Sequence, residues 1–329
     1  MTRRPGTAQT LVADSLAGFV AAHEDLVAFG RDAKFVRRRT LQPGKVAVIS
    51  GGGAGHEPLH CGFIGAGMLD AACTGHVFTS PTPDQILAAM DETDCGAGCL
   101  LVVKNYDGDV MNFEMAAEMA AGRHHVETVI VEDDAATGPS VRSRGRRGVA
   151  GTVVVEKILG AAAERGDDLA TLKALGDGLS GRLRSMGVAL RGVSLPDTAH
   201  DTFALGPDEM EIGVGIHGEP GLYRTRRAGA EEIVRLLCEP VLAQLPPLAE
   251  AHPLLIVNGF GGTPPIELNR AHALARAVLG ERGLVPARAL VGTFVTSLDM
   301  AGLSLTLALL TPAEFALWCA PVRTAALVW

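Results

Sequence analysis

The chain has 329 residues, 47% hydrophobic and 20% charged, a globular balance that excludes general disorder. Its formal net charge of -8 excludes general nucleic-acid binding, which needs a basic surface to neutralise phosphates. No stretch reaches the ~18 uninterrupted apolar residues of a membrane span, and after the basic start MTRRPGTAQT a secretion-type apolar core is broken by Asp14, His23, Glu24 and Asp25. The six cysteines, at 61, 73, 95, 99, 238 and 319, lack paired spacing and the density of a disulfide scaffold. Free thiols in a reducing, cytoplasmic setting are the expectation, and the length suits two domains.

Residues 11–28 space Leu11, Val12, Leu16, Phe19, Val20 and Leu26 near a period of 3.6 and predict a helix. Residues 45–50 predict a strand running into a glycine loop. Residues 81–93 open on a Thr-Pro-Asp start signal and place Ile86, Leu87 and Met90 on one helical face. Residues 99–103 form an apolar strand ending in Lys104, Asn105 and Tyr106. Asp107-Gly108 then turns the chain, and Asp109 caps or immediately precedes a helix over 111–121. A strand over 126–131 is followed by helices over 148–165 and 168–185 and a strand over 188–195. Residues 196–208 are polar and irregular and are read as the domain linker. Beyond them come helices over 232–243 and 265–282 and strands over 254–258, 289–296 and 303–310.

Strands alternating with helices predict an α/β fold: two α/β domains with mixed, largely parallel sheets flanked by helices. The N-terminal domain is placed at 1–186, carrying GGGAGHEP and NYDGD, and the C-terminal domain at 187–329, carrying GIHGEPG. Ligands of such sheets collect at the carboxyl ends of strands, where the loops after Ser50 and Val103 lie.

Two distant segments echo each other, GGGAGHEP from Gly51 and GVGIHGEPG from Gly213, each setting one histidine, His56 or His217, among glycines. Glycines there let backbone amides approach a small ligand closely. His56 to His60 also satisfies HExxH, but a zinc helix needs regular geometry at that point, and Pro58 suits only a helix's first turn. His60 is accordingly read as a packed or helix-surface histidine. No segment matches a phosphate loop, and no acidic residue is clearly placed for a dinucleotide ribose. The turn Gly259 to Pro264 reads as a strand-to-helix connection or an anion site. Asp109 reads as a helix cap or a base, and Lys104 as a solvated strand end or a cation of the site. Arg142, Arg144, Arg146 and Arg147 form a solvated loop or contact an anionic partner.

Taken together, SGGGAGHEPLHCGFIGAGML, FTSPTPDQI, VVKNYDGDVMNFEMA, GRRGVAGTVVVEKILGAAAERGD, EMEIGVGIHGEPG and TSLDMAGLSLTL resemble the substrate-binding K subunit of the dihydroxyacetone kinase family, from about residue 11 to the C-terminus. The resemblance implies a homodimer and covalent capture of dihydroxyacetone as a hemiaminal on the histidine matching His217. It implies hydrogen-bonding and general-base roles for His56 and Asp109, with Asp109 the base, and substrate contacts from Gly53 and Lys104. It also implies that this chain binds no cofactor itself. A separate L subunit brings Mg²⁺ and ADP or ATP, rephosphorylated by an M subunit in phosphotransferase-linked systems. Single-chain relatives carry a further nucleotide-binding domain, whereas this sequence ends at Trp329, and the Arg142–Arg147 loop is a candidate for docking the L subunit. The stretch after GIHGEPG is shorter than in many relatives, which opens the pocket rim to erythrulose or another small ketose. A non-catalytic ketose sensor acting on a transcription regulator is the alternative.

Overall fold

The computed structural model describes residues 8–138, 145–195 and 202–329. In chain order the elements are α1 (Ala8–Ala22), β1 (Val27–Phe29), β2 (Val36–Arg38), β3 (Ala47–Ala54), β4 (Gly65–Ala66), β5 (Ala71–Val77), α2 (Pro83–Thr93), β6 (Cys99–Lys104), α3 (Asp107–Ala120), β7 (Val126–Val131), α4 (Thr152–Arg165) and α5 (Leu169–Ser180). They continue with β8 (Leu183–Arg191), β9 (Glu209–Ile212), β10 (Tyr223–Arg226), α6 (Ala230–Gln244), β11 (His252–Gly259), α7 (Pro265–Glu281), β12 (Arg288–Gly292), β13 (Ala301–Leu310), α8 (Pro312–Cys319) and β14 (Arg323–Thr324).

The chain forms two interleaved compact units: Met1–Val131 with Thr152–Gly178 and Ala316–Trp329, and Glu132–Gly151 with Leu179–Phe315. The contiguous division at 186/187 differs from this packing. β8 already pairs with β13 from Leu183 onward, and after β13 the chain returns to the first unit, where β14 pairs with β4. Those partners are distant in sequence, so local patterning does not show them. Of the stretch read as the linker, 196–201 lie outside the described residues, and 202–208 belong to the second unit.

The first unit holds a sheet of order β1-β2-β5-β3-β6-β7, parallel from β5 through β7 and antiparallel at the β1-β2 edge. Alternation along the strands divides its side chains between two covers. Ile49, Leu101 and Val103 join Ile86 and Met90 of α2 and Phe113 and Ala116 of α3 in one core. Ser50, Gly52, Val102 and Lys104 therefore belong to the opposite face, against which α4 packs. Covered on both faces, CLLVVK is buried at every position.

The second unit holds a sheet of order β10-β9-β8-β13-β11-β12. The mixed α/β class expected from the sequence holds, but "largely parallel" describes only the first sheet. In the second, β11-β12 is parallel and the other pairings are antiparallel. Val188, Leu255, Val257 and Leu305 build its core with Leu237 of α6 and Ala275 and Leu279 of α7.

Several boundaries move for tertiary reasons. The first helix ends at Ala22, because the chain turns at His23 and Val27–Phe29 pairs with β2. α4 starts at Thr152 rather than 148, after Val149 N and Gly151 N have donated to the Asp133 carboxylate at 2.8 and 2.7 Å. α5 stops at Ser180, freeing 183–191 for the sheet. Among the described residues, no helix is long and apolar enough to cross a membrane.

Candidate active site

The first unit carries His56, Lys104, Asp109 and Gly53; the second carries His217. In the first unit, the segments following β3, β5 and β6 supply His56, Ser80 and Asp109, all at the carboxyl ends of parallel strands. Asp109 lies in the first turn of α3, three residues after the N-cap position held by Tyr106.

The glycine run is not a loop. Gly51, Gly52 and Gly53 are inside β3, and the space their missing Cβ atoms leave is filled by the protein itself. A Cβ at Gly51 would lie 2.5 Å from Cys73 O, and one at Gly53 2.5 Å from Thr79 N. At Gly52 it would lie 2.2 Å from Lys104 Nζ. These glycines admit the β5 backbone, the Phe78–Thr79 segment and the lysine head.

Lys104, fully buried, donates to Gly51 O at 3.1 Å and to His60 Nε2 at 3.0 Å, and pairs with Asp109 Oδ2 at 3.2 Å. Its three N–H bonds thus have three acceptors. The other Asp109 oxygen accepts from Ser80 Oγ, which fits because residue 108 is glycine: a Cβ there would lie 2.9 Å from that hydroxyl. Lys104 is therefore a cation of the site and no solvated strand end.

Pro58 starts no α-helix, contrary to expectation; residues 56–60 form turns and Cys61–Phe63 a single 3₁₀ turn. His56 is fully buried, its ring stacked on Phe78 with centroids 5.2 Å apart. His60 is buried in the site: Nδ1 lies 2.6 Å from Glu156 Oε1 and 3.0 Å from Ser50 Oγ. Burial, reinforced by Lys104 and His56, holds the His60 pKa well below the ordinary imidazole range. Burial pushes Glu156 up to about 8, against the opposing influence of Ser50 and Lys104. With no regular helix, the HExxH spacing does not give a zinc-protease geometry. A separate group in the first unit, Asp94, Cys99 and His124, has metal-like spacing. There both His124 nitrogens already contact carboxylates, Asp94 at 2.8 Å and Asp91 at 2.9 Å, and burial raises the Cys99 thiol pKa.

The two echoed segments share a device the sequence reading did not name. Glu57 folds back to accept Gly55 N at 3.1 and 3.0 Å, and Glu219 folds back to accept His217 N at 2.8 Å. Each glutamate clamps the amide two residues earlier, so the echo is of the clamp, with histidine and glycine exchanged around it. Gly215 makes room, since a Cβ there would lie 1.8 Å from Glu219 Oε1, and Gly218 takes φ +73°. Arg147 braces the segment, reaching Glu219 Oε1 at 3.2 Å, Gly213 O at 2.8 Å and Asp134 Oδ2 at 2.7 Å. Arg147 is thus engaged within the second unit; Arg142 and Arg144 lie outside the described residues, and Arg146 reaches Gln244 at 3.2 Å.

Sequence reasoning passed over Ser80, Glu156 and Glu219, gave Arg147 a loop or docking role, and gave His60 a packing role alone. Ser80 and Glu156 carried no local signal, because a serine in SPTPDQ and a glutamate in a helix are ordinary. The two Glu-Pro steps could have pointed to Glu57 and Glu219.

These observations define an α/β protein of two units, with a buried ionic cluster at the carboxyl ends of parallel strands in one and a clamped histidine turn in the other. Residues 17–326 match the Dak1 domain, and the chain belongs to that family. It is 47% identical over 307 residues to "PTS-dependent dihydroxyacetone kinase 1, dihydroxyacetone-binding subunit DhaK" of Listeria innocua, covering 92% of each chain. It is 40% identical to "PEP-dependent dihydroxyacetone kinase, dihydroxyacetone-binding subunit DhaK" of Escherichia coli, covering 98% of this chain and 97% of that one. Both relatives are named as kinase subunits, and kinases are transferases. The solved structure of "Dihydroxyacetone kinase operon co-activator Dha-DhaQ" superposes with a TM-score of 0.90 at 32% identity, covering 95% of this chain and 97% of that one.

Proposed function

We propose that this chain is the dihydroxyacetone-binding subunit of a dihydroxyacetone kinase, a phosphotransferase acting on an alcohol group. The observation that carries the reading is the buried Asp109 carboxylate at the end of β6, held by Ser80 on one oxygen and Lys104 on the other. A primary hydroxyl is a poor nucleophile, and a carboxylate fixed in this way takes its proton as the phosphoryl group arrives. His217 captures the ketose: an imidazole nitrogen adds to the carbonyl carbon, the carbonyl oxygen gains a proton, and the other ring nitrogen gives one up. The resulting hemiaminal fixes the substrate and selects a carbonyl compound over glycerol. The Glu219 clamp on the His217 amide supports this role by fixing the turn that carries the imidazole. His56 completes the hydrogen bonding to the triose, with contacts from Gly53 and Lys104. Mg²⁺ and ADP or ATP belong on a separate L subunit in this reading, an M subunit recharges it where the donor is phosphoenolpyruvate, and the K subunit is a homodimer. Erythrulose is a second candidate substrate.

The test is carbon-13 NMR of dihydroxyacetone labelled at its carbonyl, with the purified chain and with His217→Ala. A protein-bound signal in the tetrahedral region that requires His217 supports capture; a carbonyl that never leaves the ketone region overturns it. A second reading, a non-catalytic ketose sensor acting through a protein partner, is favoured by the likeness to the operon co-activator. Turnover with an added L subunit and phosphoryl donor decides against the sensor, and capture without turnover decides for it.

A further inference from the structure

We propose that Glu156 is a positioning residue that places the His60 proton on Nδ1 and thereby orients Lys104 on Asp109. Two separate contacts show which ring nitrogen carries the proton. Lys104 Nζ, which only donates, lies 3.0 Å from Nε2, so a neutral His60 must present a lone pair there. Ser50 Oγ gives its one proton to Val102 O at 2.7 Å, so its 3.0 Å contact with Nδ1 works only if Nδ1 donates. Glu156 Oε1, 2.6 Å from Nδ1, is the acceptor that completes the arrangement, and it accepts in either protonation state of the carboxyl.

The side chains are sealed from water: Glu156, Lys104 and Ser50 are 0% exposed and His60 is 4% exposed. The second carboxyl oxygen, Glu156 Oε2, has no hydrogen-bond partner. A fully buried glutamate in α4 with one oxygen unmatched is a poor stability device. Its placement is accounted for by what it does to the ring. Glu156 sits on α4, against the sheet face that carries Ser50, Gly52 and Lys104, so the chain Glu156–His60–Lys104–Asp109 runs from helix to catalytic carboxylate without solvent. Lys104 has four rotatable side-chain bonds, and the Nε2 lone pair is one of three acceptors that hold its head.

The activity part of this inference rests on the function proposed above; the proton's position does not. Long-range ¹⁵N–¹H NMR on protein labelled at histidine should show His60 neutral near neutral pH with the proton on Nδ1. Glu156→Gln, which keeps an acceptor, should retain that signature. Glu156→Leu should lose the Nδ1–H signal and move the ring toward the tautomer mixture of an unconstrained imidazole. In turnover with L subunit and donor, Glu156→Leu should lower kcat by about tenfold to a hundredfold, the scale of a misplaced catalytic group. KM should change little, and Glu156→Gln should recover most of the rate. A proton on Nε2 in the wild type overturns the proposal, as does a Leu variant that keeps both the Nδ1–H signal and the full rate. If dihydroxyacetone turnover is absent from the wild type, the function has failed, and the NMR arms still judge the positioning.

Discussion

Lys104 Nζ stands 3.2 Å from Asp109 Oδ2, with both side chains buried. The lysine ends β6 and the aspartate lies in the first turn of α3, so a strand-to-helix connection of a few residues brings opposite charges together where the helix dipole also favours the carboxylate. Removing one partner of a buried pair leaves the other uncompensated, at about 3–5 kcal/mol. Lys104→Met should therefore destabilise the protein on that scale in urea unfolding. Unchanged stability would mean that the pair is not closed in solution.

Asp109→Asn keeps the shape and removes the proposed base. Turnover should fall by at least about a hundredfold, the lower end of general-base contributions. Carbonyl capture by His217, followed by carbon-13 NMR, should persist. Full turnover in this variant would remove Asp109 from the reaction.

Two neighbouring glycines should respond differently to alanine. At Gly53 the added methyl meets backbone, 2.5 Å from Thr79 N, so the Phe78–Ser80 segment must move, with an overpacking cost of roughly 1–3 kcal/mol. At Gly52 it meets the far end of a flexible side chain, Lys104 Nζ at 2.2 Å. Gly52→Ala should leave stability closer to wild type and lower kcat by displacing the ammonium from Asp109. Paired measurements of denaturation midpoint and kcat check this, and equal effects in both variants would contradict it.

Glu156 makes a pH prediction with a definite sign. Its pKa rises from 4.5 to about 8 on folding. Between those values the folded chain keeps a proton that the unfolded chain has released, so stability falls as pH rises. His60 works in the opposite direction below its unfolded pKa of 6.5, since its folded pKa is lowered. Comparing wild type with Glu156→Gln isolates the glutamate: the stability difference should move in favour of Gln as pH climbs through the 4.5 to 8 window. A difference independent of pH would mean that Glu156 is already ionised in the fold.

Arg147 should matter to both stability and capture. It compensates Asp134, which burial raises to about 6 despite the guanidinium, and it braces Glu219. Arg147→Met should cost about 3–5 kcal/mol by stranding a buried carboxylate and should slow formation of the tetrahedral adduct at His217. Urea unfolding and time-resolved carbon-13 NMR measure the two effects. Loss of stability with unchanged capture would confine Arg147 to a structural role.

Local features were legible in the amino-acid pattern alone. Apolar runs such as CLLVVK become strands because burial on both faces leaves no polar alternation, and the Thr-Pro-Asp start before α2 closes as a capping box between Thr82 and Gln85. His56, Lys104, Asp109 and His217 stood out because short glycine-rich segments carry them. The remainder depended on packing between distant segments. The glycines of β3 look like a ligand loop in sequence, and pairing with β5 turns them into strand. Glu156 lies 96 residues from His60 and looks like any helical glutamate until α4 covers the sheet face where Ser50 and Lys104 point. The units interleave because β8 and β14 find hydrogen-bond partners far along the chain. Backbone amides and carbonyls must be satisfied wherever the partner lies, and that non-local requirement leaves no trace in local patterning.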